Sequence, residues 1–500
     1  MKRILFISVF ILISLKTSGQ IELPKFFGSN MVLQREKSIT IWGTCAPGEE
    51  ITVVFSSQVK KTRVANDSTW EVEFPKQEAS FEPRKISISS ENDTITLNNI
   101  LVGDVWLLSG QSNMEWPLNL EMHFKKERKH LTGSELRFFD TKFIGKGVYA
   151  EKYSDSALNH LTPKEFYSGK WETGGTPAIK NLSAVGYYFG KRIIEEINIP
   201  VGLINMAIGG APIETFISVK TFQQHPEFNK KTNGDWLYND FLPVWVRERG
   251  RQNVQDIAIH YDDLGPNHSY KPGFAYASSI PVLSKMPIKG ILWYQGESNA
   301  QEKTSVEEYP SLQKLLIEDY RKQWGSPNLP FYWVQLSSID TTNYQANYWP
   351  EFRDQQRILM ESITHSGMAV SSDIGSKNDV HPRNKRDVGY RLARWALNDI
   401  YNINILKSGP LPVKAEYANN KVVILFEFVG DSLKIGNNKE LMGFSLNGEN
   451  PIAAKIENNH VVIFTSKKPD FIYYGWEPYS KGNLINSENL PASTFKIRVQ

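Results

Sequence analysis

Apolar runs at Asp104–Ser109, Val201–Ala207, Lys289–Tyr294, Phe331–Gln335 and Gly367–Ser371 alternate with amphipathic helical patterns at Ala184–Ile197, Tyr309–Trp324, Glu351–Ser362 and Asp387–Ile400. Short continuous apolar runs are strands buried on both faces, and parallel strands need long crossovers, usually helical. The alternation therefore predicts an α/β fold: a parallel sheet with helices on both faces. Two polar and aromatic stretches, near residues 119–176 and 216–272, interrupt it. Insertions of that length in a compact α/β domain are more often rims or lids than core.

A chain of 500 residues exceeds what one hydrophobic core supports. From residue 20 to about 98, short β-rich runs (SITIWGT, EITVVFSS, TWEVEF, KISIS) separated by Gly, Asn, Asp and Pro predict a small β-sandwich. The α/β domain then occupies 99–402. Over 403–500 the β pattern returns in NKVVILFEF, HVVIFTS and DFIYYGW, either as a separate small domain or as strands that complete the first. No repeat of solenoid length is present, which argues against a repeat scaffold.

A net charge of +3 without a basic block excludes nucleic acid as an expected partner. The 13 Trp and 21 Tyr suit sugar stacking, but core packing accounts for most of such aromatics. Met1–Gly19 carries Lys2 and Arg3, then ILFISVFILISL and small residues at Thr17 and Gly19: a secretory signal peptide cleaved before Gln20. Its apolar run is too short for a membrane span, so the expected product is exported, periplasmic or secreted, with no membrane partner after cleavage. Cys45 is the only cysteine, so no intramolecular disulfide forms, and within TIWGTCAPGEEITVVF it reads as a small buried hydrophobe rather than a nucleophile. His260 and His268, with Asp262 and Asp263 between them, are the one conceivable metal cluster. No HExxH pattern occurs, and no metal is expected.

The segment LLSGQSNMEWP, Leu107–Pro117, places Ser112 where a buried strand must turn. A strand-to-helix elbow exposes a hydroxyl on a rigid turn and leaves backbone N–H groups facing a developing negative charge, as acyl transfer requires. The competing reading is a helix N-cap serine. A serine nucleophile needs a base and usually an orienting acid. Asp379-Val380-His381-Pro382 supplies both on a loop at the carboxyl end of a strand, where functional loops of open α/β sheets sit.

GQSNM at Gly110–Met114, NMAIGGAPIE at Asn205–Glu214, WYQGESNA at Trp293–Ala300 and DVHPRNK at Asp379–Lys385 together resemble the sialate O-acetylesterase branch of the SGNH hydrolase superfamily. The tail WEPYSKGNLINSENLPASTFK is similar to that family's terminal strand region. The resemblance implies a flavodoxin-like parallel sheet flanked by a β-sandwich-like N-terminal and a β-rich C-terminal region. It implies Ser112 as nucleophile, His381 as general base and Asp379 as orienting acid. Only Val380 separates acid from histidine, where the superfamily more often has two residues, so Asp373 is the substitute, and a Ser-His dyad aided by a backbone carbonyl stays open. The oxyanion donors implied are the backbone N–H groups of Ser112 and Gly210 and the side-chain amide of Gln295. Gln111, Asn113, Glu297 and Asn299 would hold the loops, with Glu297 alternatively an acid. Arg383 and Lys385 would clamp a sialate carboxylate or simply be solvated. No cofactor is needed. The implied substrate is an O-acetylated sialic acid, with acetylated xylan or another glycan as the alternative. A non-catalytic glycan-binding protein is the rival from another class.

Overall fold

The computed structural model describes residues 19–131, 133, 135–342, 344–437 and 440–500; the signal-peptide reading falls almost wholly on 1–18, outside the described residues. One 17-residue strand, Thr94–Gly110, organises the chain. Its first part pairs antiparallel with Ser80–Ser89 of the N-terminal β unit. Its second part runs parallel to Val201–Asn205 on one side and Gly290–Tyr294 on the other. Val105, Trp106, Leu107 and Leu108 are buried on both faces, as a central strand in a covered sheet demands. The boundary placed between 98 and 99 thus lies inside a strand. TITLNNILVGDVWLLSG carries an Asn pair with Asn99 in the left-handed region (φ +59°) and an irregular register beside it, yet pairing continues on both sides, so the backbone passes from sandwich to sheet without a linker.

Phe331–Val334 pairs parallel with Gly290–Tyr294, and Ser366–Ala369 extends the sheet beyond it. Among the five strands expected from the sequence the spatial order is second, first, third, fourth, fifth. Crossovers leave the first strand in opposite directions, which opens a crevice at its carboxyl end. The helix Ala184–Ile197 begins where the Ser183 hydroxyl accepts the Gly186 N–H, and ends at Asn198 in the left-handed region. Lys303–Gln323, Trp349–Ser362 and Lys385–Asp399 are the remaining long helices of this layer.

The first insertion departs from expectation. Leu136–Phe143 lies parallel to Val201–Asn205, and Tyr167–Thr173 closes the edge antiparallel, so this stretch is partly sheet rather than only rim. Leu136, Phe138, Phe139 and Trp171 are buried. The run LRFF is short, and no helical pattern precedes it to mark a strand-helix unit. The second insertion folds around Trp236 and His268. The His268 Nδ1 accepts the Tyr270 N–H at 3.0 Å, leaving Nε2 to donate to Asn253 Oδ1 at 3.1 Å. The His260 Nε2 lies 2.9 Å from the Asn159 carbonyl, and Asp262 pairs with Lys271 at 2.5 Å. These side chains are spent locally and do not converge on a cation position.

The C-terminal strands pair with one another among the described residues and enclose their own core of Val422, Ile424, Val461, Ile463, Ile472 and Phe495. They dock through Arg353, a buried guanidinium on the helix Trp349–Ser362 that donates to the carbonyls of Gly475 (2.9 Å), Pro478 (3.2 Å) and Glu477. Replacing Arg353 with Met orphans those buried carbonyls, so Arg353→Met should destabilise the protein by on the order of 3 kcal/mol. Denaturant unfolding followed by tryptophan fluorescence measures it.

Candidate active site

The long strand ends in a turn that only glycine accommodates. Gly110 has φ +128°, and a Cβ there would lie 2.2 Å from the Tyr294 carbonyl oxygen. Gln111 follows in extended conformation, and Ser112 opens the short helix Ser112–Glu115. Gln111 occupies the N-cap position but makes no side-chain cap. Its N–H donates to Tyr294 O at 2.9 Å, and its Oε1 accepts the N–H groups of Gly296 (3.3 Å) and Ser298 (3.2 Å). Ser112 is therefore not the cap, and its hydroxyl is directed elsewhere: Oγ is 2.8 Å from His381 Nε2.

The His381 imidazole stacks on Trp116, with ring centroids 5.1 Å apart and planes 21° from parallel. Its backbone N–H donates to Asp379 Oδ1 at 2.8 Å. The same oxygen is 3.6 Å from His381 Nδ1, too long for a hydrogen bond but close enough to act through charge. Asp373 is unavailable as a substitute, because both its oxygens bind Arg391, at 2.6 and 2.7 Å. Burial lowers the His381 pKa, the Lys385 charge lowers it further, and Asp379 raises it. The net direction favours the neutral imidazole, the form that accepts a proton from Ser112.

The loop after Val201–Asn205 is fastened to the same strand end by Met206 N–H to Leu108 O (2.8 Å) and Ile208 N–H to Gly110 O (3.0 Å). A Cβ on Gly209 would stand 3.9 Å from Ser112 Cβ, so this loop faces the hydroxyl. Gly210 has φ +73°, and its carbonyl accepts the Ser298 hydroxyl at 2.9 Å. Among the described residues, the backbone N–H groups of Ser112 and Gly210 have no protein acceptor.

Gln295 is placed differently from the expectation of a free amide donor. It is fully buried; its Nε2 donates to Asn299 Oδ1 (2.7 Å) and Ala211 O (3.3 Å), and its Oε1 accepts Tyr309 Oη–H (2.8 Å). Both amide hydrogens are thus engaged in bracing the third loop of the site, residues 295–300 after the strand Gly290–Tyr294. Asn299 continues the brace, donating to Glu214 Oε2 at 3.1 Å and accepting the Ile213 N–H. Asn113 joins Glu297 Oε1 to the Val380 carbonyl, the latter at 2.9 Å. Glu297 is buried, with its pKa raised by desolvation, and its recorded contact is to Asn113 rather than to Ser112 or His381.

Arg383 is exposed, and its backbone carbonyl accepts the N–H groups of Met122 and Lys385. Lys385, for which the sequence leaves a carboxylate clamp and plain solvation open, is fully buried against Asn113 and is not solvated. The first turn of a helix is a poor predictor of exposure when that turn abuts another loop. Trp116 stands in the same motif as Ser112, but nothing in a linear motif signals a ring stacked on a histidine far along the chain.

Residues 271–398 match the sequence model of a family described as carbohydrate esterase, sialic acid-specific acetylesterase. The sialate O-acetylesterase of Mus musculus is 29% identical over 433 residues, covering 78% of this chain and 76% of that protein. This chain is a relative of the sialate O-acetylesterases. The Homo sapiens enzyme of that name is 29% identical over 425 residues, 79% of this chain and 74% of that protein. The crystal structure of a carbohydrate acetylesterase from Xanthomonas citri superposes with a TM-score of 0.77 at 27% identity, covering 95% of this chain and 99% of that one. The family match and these relatives make the chain an esterase.

Because Asp379 reaches Nδ1 through charge and not through a hydrogen bond, Asp379→Asn should reduce kcat far less than the roughly 10⁴-fold seen when a bonded triad aspartate is lost. Loss of the carboxylate charge lowers the His381 pKa, so the acid limb of kcat/KM moves to lower pH. Steady-state kinetics across pH with a neutral acetyl ester reads both.

Proposed function

We propose that this chain is an exported serine esterase that removes O-acetyl groups from sialic acids. The observation that carries the reading is the 2.8 Å approach of His381 Nε2 to Ser112 Oγ at the sheet's switch point. In the proposed cycle His381 takes the Ser112 hydroxyl proton as Oγ attacks the acetyl carbonyl. The tetrahedral oxyanion faces the N–H groups of Ser112 and Gly210, which need no reorganisation to receive it. Collapse breaks the ester bond, and His381 delivers its proton to the departing sugar oxygen, leaving an acetyl group on Ser112. His381 then deprotonates water, which releases acetate and restores the serine. Asp379 favours the imidazolium that forms twice in this cycle, by charge from 3.6 Å.

The leader pattern with Lys2 and Arg3 supports export. No described helix is long and apolar enough to cross a membrane. Sialate as substrate follows the names of the relatives. A wider acetylated glycan, xylan among them, is the second reading, and the Xanthomonas citri neighbour, named only as a carbohydrate acetylesterase, favours it.

Acetate release from O-acetylated sialic acids and from acetylated xylan, measured side by side, separates the two substrates. Ser112→Ala should lower the rate on either by at least about 10⁴-fold. Hydrolysis by that variant at the wild-type rate would remove the mechanism and reopen a binding-only role.

A further inference from the structure

Next to the Ser112–His381 pair lies a buried charged layer that the ester chemistry does not use. Lys385, the first residue of the helix Lys385–Asp399, is 0% exposed, Asn113 0% and Glu297 2%. The Lys385 Nζ donates to Asn113 Oδ1, while Asn113 Nδ2 donates to Glu297 Oε1 and, at 2.9 Å, to the Val380 carbonyl. The Lys385 Nζ also sits 5.8 Å from the ring centroid of Trp116 and 5.5 Å from that of Tyr294. Trp116 is the ring on which His381 stacks.

Burying an ammonium on one amide oxygen and two aromatic faces is costly, and a methionine of similar length would fill the space without that cost. What the charge provides is direction. Lysine only donates and a carboxylate only accepts, so together they fix which end of the Asn113 amide faces Val380. Asn113 follows Ser112 in sequence and Val380 precedes His381; one oriented amide therefore locks the nucleophile's turn to the base's loop.

We propose that Lys385 is a positioning residue for the Ser112–His381 pair: its buried ammonium orients the Asn113 amide that joins the two turns.

The positive charge of Lys385 also opposes a proton on His381. His381 is faced by Ser112 from the nucleophile turn and by Asp379 and Lys385 from its own segment. Lys385 is in turn faced by Glu297 from the third loop, Tyr294 at its strand end, Asp379, and Glu121. Glu121 is already spent on His123 Nδ1 at 2.7 Å and on the Tyr188 hydroxyl at 3.0 Å. Burial pushes Lys385 down to about 7, against the pull of the three carboxylates. Below that pH the ammonium is present, which is the range in which His381, itself held below 6.5, takes up its proton.

The inference rests on the esterase reading, and its test uses the full chain with a neutral acetyl ester. In Lys385→Met, kcat should fall roughly tenfold to a hundredfold from misalignment, KM should change little, and the acid limb of kcat/KM should move to higher pH. Glu297→Gln removes the foremost of the carboxylates that hold the proton on Lys385, so Lys385 loses its charge at lower pH and the acid limb should move to higher pH, as in Lys385→Met. A merely structural lysine predicts lower kcat and lower stability with the limb unmoved, and that result overturns the proposal. If Lys385→Met does not fold, Glu297→Gln decides alone: a limb that stays in place or moves to lower pH overturns it. Failure of the esterase reading looks different, since His381→Ala would then hydrolyse at the wild-type rate and no His381 limb would exist to shift.

Discussion

Gly110 and Gln111 bring together loops that are far apart in the chain. The absence of a side chain at Gly110 lets the long strand press against the Tyr294 carbonyl, and Gln111 then grips the third loop with both its backbone N–H and its side-chain oxygen. Because Gln111 spends its side chain on the neighbouring loop, it cannot cap the helix it precedes. The hydroxyl of Ser112, one residue on, is not needed as a cap either. The Ser112 hydroxyl is left free to approach His381 by a chain of satisfied hydrogen bonds around it.

The same economy governs the polar interior behind the site. Gln295, Asn299, Glu214, Asn113 and Glu297 are all buried, and nearly all their polar atoms meet a partner in another loop. Buried polar groups without partners are costly, so a network of this kind is rigid or it is unstable. Rigidity of this kind is what acyl transfer asks of oxyanion donors, which act only if they are in place before the charge forms. Glu297 Oε2 is the exception: among the described residues it lacks a hydrogen-bond partner. Its charge is balanced by Lys385 through Asn113 rather than by direct contact.

Two buried charged groups tie the flanking β units to this scaffold. Asp104, in the middle of the long strand, accepts from Gln34 Nε2 (2.8 Å), Arg35 Nε (3.0 Å) and Tyr401 Oη (2.7 Å), joining the N-terminal unit to the end of the last α/β helix. Arg353 does the equivalent for the C-terminal unit through three carbonyls. Neither joint touches the site, yet both hold elements whose loops do: Asp104 lies on the strand that ends at Ser112, and Arg353 on a helix packed beside the third loop through Gln356 and Phe352.

The sequence by itself determined the parallel sheet, because uninterrupted apolar runs separated by helix-length segments have few other ways to bury themselves. It also pointed to Ser112 and His381, which the fold brings within 2.8 Å of each other, because each stands in a short motif at a local turn. What it did not carry was anything set by which loops meet. The strand Leu136–Phe143 joins the sheet edge because Val201–Asn205 offers an unpaired flank. Lys385 is buried because its helix starts against the nucleophile turn, and Asp373 is lost to Arg391 because the last helix returns past it. Gln295 turns inward for the same reason, its amide claimed by Asn299 and Ala211. These outcomes depend on contacts between residues tens to hundreds of positions apart, and a periodic pattern or a motif records only its own neighbourhood.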